Sequence, residues 1–302
     1  MNIIETNSLK YDFGGKPVLN GIDLAVQQGS IFGFLGPNGS GKTTTIRALL
    51  GLAHVPEKSI MLFGKDIRTH RIEILRNTGS LIEYPALYNH LSGYDNLHIL
   101  CNLTSTPKKR IEQLLSIVSL TDDGSKKVSK YSLGMKQRLG IAAALLTDPD
   151  LLILDEPTNG LDPAGIRDMR HLIKMLNHDF GKTIFISSHL LYEVEMLCSH
   201  LAILNEGKLV FQGKTSELRD KYAKLLIADT SDNSKAAGLI AQHFPVRVTN
   251  GLLEIAIKER NDAAVISNTL FRNELDIYRL ETKSQNLEEL FFNLTANDSE
   301  RL

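Results

Sequence analysis

Ser30-Ile-Phe-Gly-Phe-Leu35, running directly into Gly36-Pro-Asn-Gly-Ser-Gly-Lys42-Thr43, is the stretch on which the fold turns. The first part is a dense apolar run of strand length. The second fits G-x-x-x-x-G-K-[ST]. Its glycines let the backbone wrap closely around a phosphate chain, and consecutive N–H groups and the start of the following helix point at the anion. Lys42 is placed to reach the β and γ phosphates, and the Thr43 hydroxyl to meet Mg²⁺. Gly36, Pro37, Asn38, Gly39, Ser40, Gly41, Lys42, Thr43 and the adjoining Thr44 are therefore the candidate nucleotide-binding residues. A helical pattern from Thr43 to Leu52 completes the strand, loop and helix that this chemistry requires.

Leu151-Leu-Ile-Leu-Asp155-Glu156-Pro157 supplies what that loop lacks. The four apolar residues read as a strand buried on both faces, with Asp155 at its C-terminal end, the edge where open α/β sheets bind ligands. Asp155 is the candidate Mg²⁺ partner, and Glu156 the candidate general base for an attacking water. Thr183 to Ile186 reads as another buried strand. Strands alternating with helices predict an α/β core with a mainly parallel sheet.

Outward from this core, Ile3 to Leu9, a Gly14-Gly15 turn and Pro17 to Val26 predict an N-terminal antiparallel β region. Tyr84 to Leu146 reads as mostly helical, with Ser92 capping one helix and Thr106-Pro107 starting another. The core is expected to end near Gly213 to Tyr222. Beyond it the pattern is β-α-β-β-α-β: strands over Lys224–Ala228, Val246–Val248, Leu252–Ile257 and Leu275–Leu280, helices over Ser234–His243 and Asp262–Phe271, and a turn at Asn250-Gly251. That order suggests a small ferredoxin-like layer, followed by a closing helix over about Leu287 to Leu294.

The chain has 302 residues, 42% of them apolar, and 34 basic against 35 acidic side chains. The length predicts one large domain and one small one. A net charge of −1 gives no electrostatic case for nucleic acid. The cysteines, Cys101 and Cys198, match no metal-ligand spacing and read as reduced thiols. The N-terminus has no basic region followed by an apolar run. The most apolar stretches fall far short of the ~20 residues that span a bilayer. A membrane role is expected to come through a partner.

Tyr131-Ser132-Leu133-Gly134-Met135-Lys136-Gln137-Arg138-Leu139 separates this chain from other nucleotide hydrolases. It resembles the signature motif of ATP-binding cassette proteins, LSGGQ, and the resemblance extends from about Ile3 to Gly213. In that family the signature Ser and Gly sit at a helix N-terminus and contact the γ phosphate held by the opposite subunit. By position Ser132 and Gly134 take this role. Asn159-Gly160-Leu161-Asp162 resembles the D-loop, with Asp162 linking the two sites. His189, ending Ile184-Phe-Ile-Ser-Ser-His, resembles the switch histidine that contacts the γ phosphate and orients water. Phe13, with Tyr11 as the alternative, resembles the aromatic that stacks on adenine.

The resemblance implies a P-loop NTPase with a RecA-like core, an N-terminal antiparallel β region and an inserted helical subdomain over about 84–146. Together these form a nucleotide-binding domain over 1–214, and an α+β accessory domain covers 222–302. It implies ATP and Mg²⁺ as cofactors and a second nucleotide-binding domain, expected to be another copy. Separately encoded membrane permeases and a place on the cytoplasmic face of the cell membrane follow from it too. Soluble cassette proteins acting on ribosomes or DNA carry two cassettes or long coiled coils, and neither feature occurs here.

Two departures stand out. Where the family carries Gln, the chain reads Gly79-Ser-Leu-Ile-Glu83, bringing a further carboxylate toward the metal. In the signature, Leu133 replaces Gly and Met135 replaces Gln. The segment Leu81-Ile-Glu83-Tyr-Pro85-Ala-Leu-Tyr88, taken with the altered signature, is similar to ATPases of bacitracin-type resistance and lantibiotic self-immunity transporters. That branch implies export of a peptide antibiotic.

Overall fold

Phe32, Phe34 and Phe185 pack together at the centre of the six-stranded sheet. They lie on neighbouring parallel strands, Ile31–Leu35 and Thr183–Ser188, with Phe32 in register with Phe185. The rings of Phe32 and Phe185 stack at 5.9 Å, and Phe34 tilts against Phe185 at 5.3 Å. Every residue of both strands is buried, as expected of strands covered on both faces. The structure is a computed structural model and describes residues 1–221, 224–257 and 259–283.

The six-stranded sheet runs in the order Lys208–Lys214, His200–Asn205, Ile31–Leu35, Thr183–Ser188, Leu151–Asp155, Thr78–Leu81. All neighbours are parallel except the Lys208–Lys214 edge strand, which is antiparallel to His200–Asn205. Helix Leu191–Leu197 packs so closely on the sheet that a Cβ at Gly33 would lie 2.2 Å from Val194 Cγ1. Register decides function here: Leu35 pairs with Ser188, and Asp155 with Ser187. The ends of three strands thus share one edge, where the Gly36–Gly41 loop, Glu156 and His189 emerge.

A second, antiparallel sheet is built from Ala25–Gln27, Asn2–Thr6, Ile60–Leu62 and Lys65–Asp66. Leu9–Phe13 and Lys16–Ile22 form a hairpin apart from it. Gly14 and Gly15 turn it with φ of 57° and 79°, the double positive φ of a two-residue hairpin loop. The expected continuous strand Ile3–Leu9 is broken at Asn7-Ser8, because Ser8 takes φ 43° and its N–H is held by the Asp23 carboxylate at 2.6 Å. The same Asp23 turn divides Pro17–Val26.

Between Thr78–Leu81 and Leu151–Asp155 lie the helices Gly93–Thr104, Lys109–Ile117 and Leu133–Ala144. Ser92 caps the first through a reciprocal capping box with Asp95. The second starts two residues beyond Pro107, whose carbonyl accepts from Arg110 N at 3.0 Å. Cys101 and Cys198 are buried free thiols, and burial pushes both pKa values up.

The chain divides into two units, Met1–Thr215 and Ser216–Leu302. In the second, Lys224–Thr230, Asn233–Ile240, Val246–Thr249, Leu252–Ile257, Arg260–Arg272 and Ile277–Lys283 follow in the order β-α-β-β-α-β. Its antiparallel sheet runs Val246–Thr249, Leu252–Ile257, Lys224–Thr230, Ile277–Lys283. Asn250 and Gly251 make its tight turn with φ of 52° and 80°. Leu226, Ala228, Leu253, Ile255 and Ile266 centre a core of its own. The closing helix expected over Leu287–Leu294 lies outside the described residues. Among the described residues no helix is long and apolar enough to cross a membrane.

Phe185→Ala removes the ring that both neighbours pack on. Denaturant unfolding should show a loss of about 3–5 kcal/mol.

Candidate functional site

The loop after Leu35 is organised around one buried cation. Lys42 opens the helix Lys42–Leu49 and folds back so that Nζ donates to the carbonyls of Gly36 at 2.7 Å and Pro37 at 3.2 Å. Glu156 Oε1 stands 3.6 Å from the same nitrogen. Burial pulls the lysine below its usual range, while the charges of Glu156 and Asp155 push it back up. The helix start has no side-chain cap. Its free N–H groups and partial positive charge are left for an anion.

A cavity of about 410 Å³ opens there, lined by Asn38, Gly39, Gly41, Lys42, Thr43 and Thr44 of the loop and by Val18, Glu156, Asn159 and His189. Of the loop residues expected to bind nucleotide, Gly36, Pro37 and Ser40 do not line it. They support it instead: a Cβ at Gly36 would lie 2.4 Å from Ser40 Oγ. Phe13 is not on the wall either. It is 72% exposed at the hairpin tip, and Tyr11 packs against the core. Val18, from the same hairpin, is the apolar residue that reaches the cavity.

Asp155 is buried at the base of the site and accepts from Thr43 Oγ1 at 3.1 Å and from Ser187 Oγ. Burial raises its pKa; the two hydrogen bonds oppose this, and the charges of Glu156 and Glu83 add to it. Ser187 also accepts from Glu156 N at 2.9 Å, so one hydroxyl ties the two carboxylate residues to the neighbouring strand. Nothing in the local pattern of Ile184–His189 singles out Ser187; only strand register reveals it. Glu156 takes φ 49°, an uncommon value for a residue with a side chain, and such residues collect at functional sites. His189 Nδ1 meets Glu156 Oε2 at 2.8 Å. One carboxylate thus faces a lysine with one oxygen and a histidine with the other.

Ser132 and Gly134 lie elsewhere. They line a second cavity of about 430 Å³ with Leu133, Gly160, Leu161 and Asp162. The two cavities have no lining residue in common. Ser132 is exposed and caps the helix Leu133–Ala144, accepting from Met135 N at 3.3 Å. Asp162 caps Pro163–His178, accepting from Gly165 N at 2.9 Å. Leu133 leans over Gly160, where φ is 76° and a Cβ would come 3.0 Å from Leu133 Cδ2. Glu83 is outside both cavities. It accepts from Arg47 Nη2 at 2.9 Å.

Since its folded pKa is raised, Asp155 costs stability when ionised. Asp155→Asn should stabilise the nucleotide-free chain by roughly 1 kcal/mol at pH 7, as functional-site substitutions often do. The gain should shrink as pH falls through the raised folded value and be gone below 3.8, the unperturbed value, where both states are protonated. Urea unfolding at pH 7 and pH 4 measures the difference.

The sequence matches the family described as ABC transporter over residues 19–159. It is 41% identical to the bacitracin transport ATP-binding protein BcrA of Bacillus licheniformis, with 97% of each chain covered. It is 40% identical to the lantibiotic transport ATP-binding protein SrtF of Streptococcus pyogenes over 70% of this chain and 90% of that one. Among solved structures, cbiO1 of Clostridium perfringens, part of the ABC transporter complex cbiONQ, superposes with a TM-score of 0.67 at 28% identity. It covers 72% of this chain and 90% of its own. A strand-loop-helix anion site, a carboxylate pair two strands away and near-full-length likeness agree: the chain belongs to the ABC transporter family, as one of its ATP-binding ATPase proteins.

Proposed function

We propose that two copies of this chain hydrolyse Mg-ATP and drive separately encoded membrane permeases that export a peptide antibiotic of the bacitracin or lantibiotic class. The observation that carries the substrate class is the reach of the likeness: 97% of the chain aligns with a bacitracin transport protein, the C-terminal unit included. Pairing is supported by the separation of the two cavities. A triphosphate gripped at Lys42 of one copy meets the Ser132 helix start of the other, so nucleotide binding and dimerisation stabilise each other. The chain works at the cytoplasmic face of the membrane, peripheral to its permeases and without a role for nucleic acid. The C-terminal unit acts as an accessory domain that steadies the pair.

Oxygen donors suit Mg²⁺, which is commonly held by one or two carboxylates together with substrate phosphates. Thr43 and Asp155 fit that pattern, with Glu83 as a third oxygen ligand. Among the described residues no group of three or more His, Cys, Asp or Glu side chains is placed to hold a metal ion. Mg²⁺, when bound, offsets the negative charge of the phosphates. Lys42 turns its ammonium from Glu156 toward the β and γ phosphates. Glu156, released from the lysine, takes a proton from water as that water's oxygen attacks the γ phosphorus and the bond to the β-phosphate oxygen breaks. His189 keeps the Glu156 carboxylate in line and reaches the γ phosphate. The Gly36–Gly41 loop and the Ser132 helix start supply N–H groups to the phosphates from opposite sides.

Glu156→Gln should lower ATP turnover by about 10²–10⁴-fold, the usual contribution of a general base. It should still give a stable ATP-induced dimer on size exclusion; unchanged turnover would refute the base assignment. Lys42→Ala should abolish ATP binding in calorimetry. Deleting the gene in its native host should raise sensitivity to bacitracin or lantibiotics. Unaltered sensitivity to every peptide antibiotic would remove the substrate class and leave the ATPase standing.

A further inference from the structure

Glu83 stands at the joint between the core strand Thr78–Leu81 and the helical segment that carries Ser132. Its φ is 57°, in the left-handed region that side-chain-bearing residues seldom occupy and that recurs at switch regions. Its carboxylate pairs with Arg47 Nη2 at 2.9 Å. Arg47 lies four residues after Thr43 on the helix Lys42–Leu49, so the two project from one helix face, a turn apart. The charge of Glu83 is the last of the influences that push the Asp155 carboxyl up, after burial and the charge of Glu156. An extra carboxylate at a metal-binding edge thus has a resident cation of its own. Both side chains are more than half exposed, at 54% and 57%, and a pair so hydrated is weak enough to exchange.

We infer that Arg47 is a positioning residue: it holds Glu83 in the nucleotide-free chain and yields the carboxylate when a metal–nucleotide complex arrives. The inference rests on reading the Thr43 and Asp155 edge as the Mg-ATP site. Glu83 then trades one positive partner for another, and the joint to the helical segment registers whether the metal is bound. Where the family carries a neutral Gln, no such trade is possible. A purely structural role is also open to Arg47, because it lies in the last turn of its helix and suits the negative end of the dipole. That role is indifferent to Mg²⁺.

The test is calorimetric titration of the full chain with adenylyl imidodiphosphate, in Mg²⁺ and in EDTA, taking the ratio of the two dissociation constants. Arg47→Met should raise the stimulation by Mg²⁺ roughly threefold, the scale of an exposed ion pair. Arg47→Lys should stay near the wild-type ratio. Glu83→Gln should lower the ratio, and adding Arg47→Met to it should change nothing further. An equal rise from Arg47→Met in both backgrounds, or no rise in either, overturns the inference. If Mg²⁺ leaves wild-type affinity unaltered, the metal-site reading falls and the inference with it. If Mg²⁺ strengthens wild-type binding but Arg47→Met leaves the ratio alone, the inference alone falls.

Discussion

A lysine ammonium, almost withdrawn from water, sits at the carboxyl end of a parallel sheet with two backbone carbonyls and one carboxylate around it. A buried cation is costly unless it is paired. Here the partners are the loop it belongs to and the acid on the next strand but one. The loop wraps around its own lysine before any phosphate arrives, so the cradle is largely preformed. In the proposed function that cost is offset on binding, when a polyphosphate offers the lysine more negative charge than Glu156 does.

Three strand ends must be level for this to happen, and buried apolar registers set their level. Phe32 against Phe185 fixes one pairing, and Leu154 against Ile186 the next. Sliding a strand by one residue would turn Asp155 away from Thr43 and Ser187. Packing thereby becomes chemistry: Ser187 joins two acidic residues to a neighbouring strand, and His189 meets the second of them one step beyond. The backbone at Glu156 is held in a left-handed conformation that this network makes tolerable.

The signature half of the molecule follows the same physics with different parts. Its helix start is capped by Ser132 rather than left open. Leu133, where the family has glycine, occupies the space above Gly160, so the two segments are fitted to each other within one chain. The departure is absorbed by a glycine across the cavity, and Ser132 stays at the surface.

Much of the site was legible because its requirements are local. A backbone that wraps a phosphate needs glycines at set spacing, and a buried strand needs an unbroken apolar run; Gly36–Thr43 and Leu151–Asp155 declare both in order. Ser92, the Gly14-Gly15 hairpin and the Asn250-Gly251 turn were likewise visible, since capping and positive φ depend on neighbouring residues alone. Contacts between distant segments were not. Ser187 gains its place from register with Asp155, Val18 from a hairpin folded over the loop, and Arg47 from a carboxylate 36 residues away. The Asp23 carboxylate that breaks two expected strands acts across 15 residues. The sequence alone determined which groups are candidates to grip a phosphate and activate water, because residue type and short-range geometry decide that. Which of them meet, and which side chains steady them, was decided only by the tertiary structure, because hydrogen bonds and ion pairs need ångström distances that strand order and packing alone can set.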